Sequence, residues 1–96
     1  MTRIRYVALA RLVSGVDLEE IALDGPATVG DVMKSLCQRY GADFRDAFFT
    51  RSGALQHHVV LQLDARDIAE MEGLDTPVPP ECELSCMIIV PSLAGG

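Results

Sequence analysis

Ala27-Thr28-Val29-Gly30-Asp31-Val32-Met33-Lys34-Ser35-Leu36-Cys37-Gln38-Arg39-Tyr40-Gly41 is the stretch on which the fold of this chain turns. Thr28 followed three residues later by Asp31 has the spacing of a reciprocal cap, in which each side chain satisfies the other's backbone N–H. Apolar residues then recur at Val29, Val32, Met33, Leu36 and Tyr40, which is one stripe on a helix of 3.6-residue period. Arg39 suits the negative end of the helix dipole, and Gly41 can take the left-handed conformation that ends a helix. The spacing predicts a helix over 29–40 with one apolar face, and such a face needs a surface to cover.

That surface is legible on both sides. In residues 3–12 charged and apolar residues alternate at first, the period of a strand with one solvated face. Ser14-Gly15 supplies a turn, residues 18–23 read as a weaker strand that can pair back, and Asp24-Gly25-Pro26 stops it. Beyond the helix, residues 42–56 read as an irregular segment whose Phe44, Phe48 and Phe49 tuck under the domain. Residues 57–63, His-His-Val-Val-Leu-Gln-Leu, are a strand closed by a turn at Asp64, Arg66 and Asp67. Prolines 77, 79 and 80 make residues 73–80 a rigid connector. Residues 83–90 alternate Leu84, Cys86, Ile88 and Val90 with Ser85, Met87 and Ile89, the pattern of a central strand buried on much of both sides. The order strand, strand, helix, strand, strand predicts an α+β domain, a small mixed sheet covered by one main helix. Residues 1–96 are expected to form a single domain, with 91–96 as a flexible tail.

Composition narrows the function. With 49% hydrophobic and 23% charged residues the chain is globular in type, and its formal charge of -6 repels nucleic acid and anionic membrane surfaces. Met87-Ile88-Ile89-Val90 is far short of the roughly 20 apolar residues that span a bilayer. Arginines at 3, 5 and 11 interrupt any export-type apolar run, so a cytoplasmic location is expected. Cys37, Cys82 and Cys86 have no metal-finger spacing and read as buried or idle thiols. His57 and His58, if adjacent on a strand, point to opposite faces and cannot grip one metal together. Glu19-Glu20 and Glu70 with Glu72 read as solvated acidic faces. Phosphate-loop and nucleophile-elbow motifs are absent, so no intrinsic catalytic residue and no metal site is predicted.

What remains is the end, where the last strand leads through Pro91-Ser92-Leu93-Ala94 into Gly95-Gly96. Residues 91–96, fully extended, reach roughly 20 Å, and Ala94, Gly95 and Gly96 are slim enough for a narrow channel. The pieces Arg3-Ile4-Arg5-Tyr6-Val7-Ala8, Ala27-Thr28-Val29-Gly30-Asp31-Val32, Arg66-Asp67-Ile68, Glu72-Gly73-Leu74-Asp75-Thr76-Pro77 and Ala94-Gly95-Gly96, in that order, make the chain resemble the MoaD/ThiS group of ubiquitin-like sulfur carriers. The resemblance departs at Asp64-Ala65, where that group usually has Asn-Gly and where the missing glycine suggests a different turn type. It departs again at Pro79-Pro80-Glu81 and Pro91-Ser92-Leu93.

The resemblance implies a β-grasp fold and a carrier rather than an enzyme. A partner adenylating enzyme would use ATP to activate Gly96, and a persulfide or sulfide would displace AMP to leave a thiocarboxylate. That sulfur would pass to a sulfur-accepting synthase subunit, in cofactor biosynthesis of the molybdopterin type as the first choice. Gly95 and Gly96 would carry the chemistry, Leu93 and Ala94 would meet the partner, and the chain would bind no cofactor itself. Thiamine, a sulfur amino acid or a secondary metabolite are alternative destinations, and conjugation through Gly96 as a ubiquitin-like modifier is an alternative role.

Overall fold

The computed structural model describes residues 1–89; Val90 at the end of the last predicted strand, and the tail 91–96, lie outside the described residues. Strand β1 (Thr2–Ala8) buries Ile4 and Tyr6 and turns Arg3 and Arg5 outward, as the alternation requires. It does not run to Leu12. Ala8 takes φ 57°, and Ala10–Ser14 forms a short helix, α1. The alternation has lapsed by Leu9-Ala10, and Ala10 and Ser14, four apart, are the two positions that α1 buries. Strand β2 (Leu18–Ile21) pairs back antiparallel on β1, with Thr2 opposite Ile21.

Helix α2 (Val29–Tyr40) has the predicted bounds. The Asp31 N–H donates to Thr28 Oγ1 at 3.1 Å, and the Thr28 N–H donates to the Asp31 carboxylate at 3.0 Å. These bonds hold the Asp31 carboxyl below the usual carboxylate range. Val29, Val32, Met33 and Leu36 are buried. Gly41 ends the helix at φ 96°. The segment after it is not irregular, because Ala42–Phe48 is a helix, α3. Phe44 and Phe48 stand four apart and are both fully buried, with ring centroids 4.6 Å apart. Tyr40 continues the aromatic column at 5.2 Å from Phe44, and Tyr6 meets Phe44 edge-on at 6.2 Å.

Strands β3 (Val59–Leu63), β4 (Arg66–Asp67) and β5 (Cys82–Ile88) complete a five-stranded sheet of order β2-β1-β5-β3-β4. As expected, β5 is central, parallel to β1 and antiparallel to β3. Its burial is one-sided, however: Cys82, Leu84, Cys86 and Ile88 are buried, whereas Glu83, Ser85 and Met87 are half-buried. All helices lie over the same face, so the other face has no covering layer among the described residues. Residues 73–80 are not wholly irregular, since Gly73–Asp75 forms one 3-10 turn, and Ile68–Glu70 forms another. His57 and His58 belong to a turn rather than to β3, and their rings meet edge-on with centroids 5.4 Å apart.

The two-residue turn between β3 and β4 corrects a sequence expectation. Leu63 pairs with Arg66, and both residues between them have positive φ, 49° at Asp64 and 71° at Ala65. This is the geometry of the glycine-favouring hairpin turn, reached here without glycine. Asp64 is held in place by β5: its N–H donates to the Glu83 carbonyl at 2.9 Å, and its side chain accepts the Glu83 N–H at 3.0 Å. Ala65 has no such support, so Ala65→Gly should raise stability by about 0.5–1 kcal/mol in urea unfolding.

Glu19 also departs from the sequence expectation, because it is not on a solvated face. It stands opposite Ile4 and is only 14% exposed. Its carboxylate accepts from the hydroxyls of Tyr6, at 2.6 Å, and Tyr40, and from the Arg39 guanidinium. It thereby ties β2, β1 and the end of α2 together. Burial first, and then the bond to Glu19, push both phenols up in pKa, so both remain donors. Glu19→Ala strands the Tyr6 hydroxyl in the core and should cost about 2 kcal/mol of unfolding free energy. Adding Tyr6→Phe should recover part of that loss, because the stranded donor goes with it.

Candidate functional site

The predicted sulfur-carrying residues Gly95 and Gly96, and the predicted partner contacts Leu93 and Ala94, lie outside the described residues. What the fold defines is the ground from which they depart. Because β5 is central and parallel to β1, the chain reaches Ile89 at the sheet end where β1 also finishes and α1 begins. The Ile89 N–H donates to the His58 carbonyl at 2.9 Å, while the Ile89 side chain is 54% exposed.

The uncovered sheet face is banded. Val7, Met87 and Val60 lie side by side across β1, β5 and β3, each half-buried. One step along the strands comes the polar row Arg5, Ser85 and Gln62, and beyond it the charged row Glu20, Arg3 and Glu83. Glu83 accepts from Arg5 Nε at 3.1 Å and stands 3.6 Å from Arg3 Nε. The bond from Arg5 holds the Glu83 carboxyl below its ordinary range. The apolar row therefore sits at the Ile89 end of the sheet and the charges sit away from it. Leu9 and Leu12, exposed on and before α1, occupy the same end.

The apolar row escaped sequence reasoning, although its signal was present. Met87 and Ile89 make the last strand apolar on both faces, a pattern that fits burial on both. The alternative, one buried face and one apolar surface, is decided by whether a second layer exists. Val7 and Val60 become neighbours of Met87 only through strand pairing.

The side chains set aside on sequence grounds stay apart from any reactive cluster. Among the described residues no group of three or more His, Cys, Asp or Glu side chains could hold a metal ion. Cys82 and Cys86 are buried in the core, where the Cys86 thiol stands 4.0 Å from Met33 Sδ. Burial pushes both thiols up in pKa. Cys37 is half-buried; its pKa is also raised by burial, against an opposing pull from Arg45. Among the described residues no helix is long and apolar enough to cross a membrane. In the folded protein a thiol-specific aromatic disulfide reagent should modify Cys37 alone, with Cys82 and Cys86 reacting only after denaturant is added, as counted by released chromophore.

No protein-family model and no curated protein matches the sequence. Solved structures do match in shape. Small archaeal modifier protein 1 from Haloferax volcanii superposes with a TM-score of 0.79 at 21% identity, over 93% of this chain and 97% of that one. A putative molybdopterin converting factor subunit 1 from Pyrococcus furiosus gives 0.72 at 22% identity, over 93% and 97%. CysO from Amycolatopsis orientalis, in a BexX/CysO complex, gives 0.79 at 16% identity, over 96% and 99%. The likeness is one of fold, and it is the ubiquitin-like β-grasp fold expected from the sequence.

Proposed function

We propose that this ubiquitin-fold chain is a sulfur carrier whose Gly96 carboxylate is activated by a partner and converted to a thiocarboxylate. The observation that supports it most is the continuity between the central strand and the Leu93-Ala94-Gly95-Gly96 sequence, on a fold shared with small proteins named as a modifier and as a molybdopterin converting factor subunit. A strand paired on both sides is a rigid mount, and the seven residues that follow Ile89, numbers 90–96, would span roughly 23 Å if fully extended. That is enough to bring a terminal carboxylate into another protein's active site.

The chemistry follows from what a carboxylate lacks. Its oxygen is a poor leaving group, so the adenylating partner would let a Gly96 oxygen attack the α-phosphorus of ATP and expel pyrophosphate. Sulfide could then displace AMP to leave the thiocarboxylate. A persulfide would give an acyl disulfide that a second thiol cleaves to the same product. The chain supplies the acyl group and a grip for its partners, and the partners supply catalysis and nucleotide. Leu93 and Ala94 would continue the apolar row of Val7, Met87 and Val60 into a partner's surface, with apolar contact at the centre and charges at the rim. Synthesis of a molybdopterin-type cofactor is the destination we favour, on the likeness to the converting factor subunit. The cytoplasm, where adenylating enzymes meet ATP, is the location that fits.

Incubation of the full chain with a candidate adenylating enzyme, ATP and sulfide should replace one oxygen of Gly96 by sulfur, read by intact-protein mass spectrometry. A chain lacking Gly96 should fold and give no product. Met87→Asp should stay folded, with a modestly lowered unfolding midpoint, yet weaken binding to the adenylating enzyme roughly tenfold or more, as loss of a central apolar contact does. An unchanged mass across candidate partners would overturn the carrier reading. The likeness to a modifier protein favours one second role, conjugation through Gly96, which recovery of Gly96 isopeptides from cells would establish.

A further inference from the structure

On the helical layer, across the sheet from the apolar row, α2, α3 and residues 49–53 line an open cleft of about 500 Å³. That volume suits a small molecule rather than a single inorganic ion. Its inner surface is apolar, formed by half-buried Phe49 and Leu74 beside the half-buried Cys37 thiol. Gly30 lets Leu74 pack close against the α2 end of it. A Cβ there would come within 3.1 Å of the Leu74 carbonyl oxygen, so any side chain would push the Leu74 segment away.

The charges around this cleft run against those of the whole molecule. Fourteen acidic residues outnumber eight basic ones, yet Lys34, Arg45 and Arg51 line the cleft against one carboxylate, Asp46. Of the five cations elsewhere four are taken up, Arg3 and Arg5 by Glu83, Arg11 by Asp17 and Arg39 by Glu19, and the fifth, Arg66, makes no ion pair among the described residues but lies on the far hairpin, away from the cleft. Within the cleft only Arg45 has a partner, Asp46 at 3.6 Å, and both side chains are exposed. Lys34, the chain's single lysine, and Arg51 make no ion pair among the described residues. Three exposed cations lining one apolar concavity, in a chain with carboxylates to spare, leave a negative head group as the missing complement. The field is local: screening at about 8–10 Å lets these cations dominate the cleft despite the chain's overall negative charge.

We propose that this cleft binds a small organic anion: an aromatic or aliphatic body packed on Phe49 and Leu74, with a carboxylate, sulfonate or phosphate head held by Lys34, Arg45 and Arg51. The site does not depend on the sulfur-carrier reading, since it shares no residue with the apolar row or with residues 90–96. It would give this carrier-sized domain a second, ligand-responsive surface.

Anilinonaphthalene sulfonate is a suitable probe, being an aromatic body with one anionic head. With the full chain it should show saturable one-to-one fluorescence, and amide shifts in nuclear magnetic resonance spectra should centre on Gly30, Lys34, Cys37, Arg51 and Gly53. Alkylation of Cys37 should slow in proportion to occupancy. The double variant Lys34→Gln, Arg51→Gln alters two exposed side chains, so it should unfold at the same denaturant concentration while binding roughly tenfold more weakly, the loss expected for two charge-assisted contacts. Neutral phenylnaphthylamine, which keeps the body, and inorganic pyrophosphate, which keeps the charge, should each bind at least as poorly as the double variant binds the sulfonate. Shifts centred on Val7, Val60 and Met87, equal affinity for the neutral probe, or unchanged affinity in the double variant would each overturn the proposal.

Discussion

The parallel pairing of β1 with β5, from Thr2 opposite Cys82 to Ala8 opposite Ile88, is the constraint on which the rest of the molecule depends. Two parallel strands cannot be joined by a tight turn, so everything between them must leave one end of the sheet and return to the other. β2 takes up one flank of β1, β3 and β4 take up the far flank of β5, and α2 covers the face between. The same pairing makes the chain finish its last strand where its first strand finished, which places Ile89 beside the start of α1.

One-sided cover follows from the same economy. A chain of 96 residues has enough helix for one layer, and α1, α2 and α3 all lie on the face that carries Ile4, Tyr6, Leu61, Leu84 and Cys86. The opposite face must meet water or a partner. Its charged band, centred on Glu83 with Arg3 and Arg5, is internally neutralised and suits water. Its apolar row, Val7, Met87 and Val60, suits a partner, and it lies at the end from which residues 90–96 continue. Glu19 shows a different use of a charged residue. Turned inward on β2, it satisfies two tyrosines and an arginine, and so fixes how α2 sits against the edge of the sheet. A fully exposed ion pair gives little of that, because solvent screens it.

The segments where the fold departs from the local sequence pattern share a cause. Phe44 and Phe48 read as inward-facing, but the seven residues after Gly41, about two turns, carry no side-chain cap to mark a helix. Residues 9–12 looked like more strand because two leucines flank an arginine, whereas the burial of Ala10 and Ser14 made them a helix. Asp64-Ala65 looked unfit for a positive-φ turn, yet bonds from Asp64 to Glu83, nineteen residues away, hold it there. In each case the deciding contact is distant in sequence.

By itself the sequence determined what local periodicity and chemistry can determine: the capped helix over 29–40, the period-2 strands, the α+β class and the choice of Gly95-Gly96 as candidate carrier residues. Those features rest on contacts within a few residues, or on the identity of single side chains, and so can be read along one dimension. Tertiary structure alone decided which apolar residues are core and which are surface, that Glu19 points inward, and that Lys34, Arg45 and Arg51 meet around one cleft. Each of these is a distance between residues brought together by strand pairing and helix packing, and no local pattern encodes it.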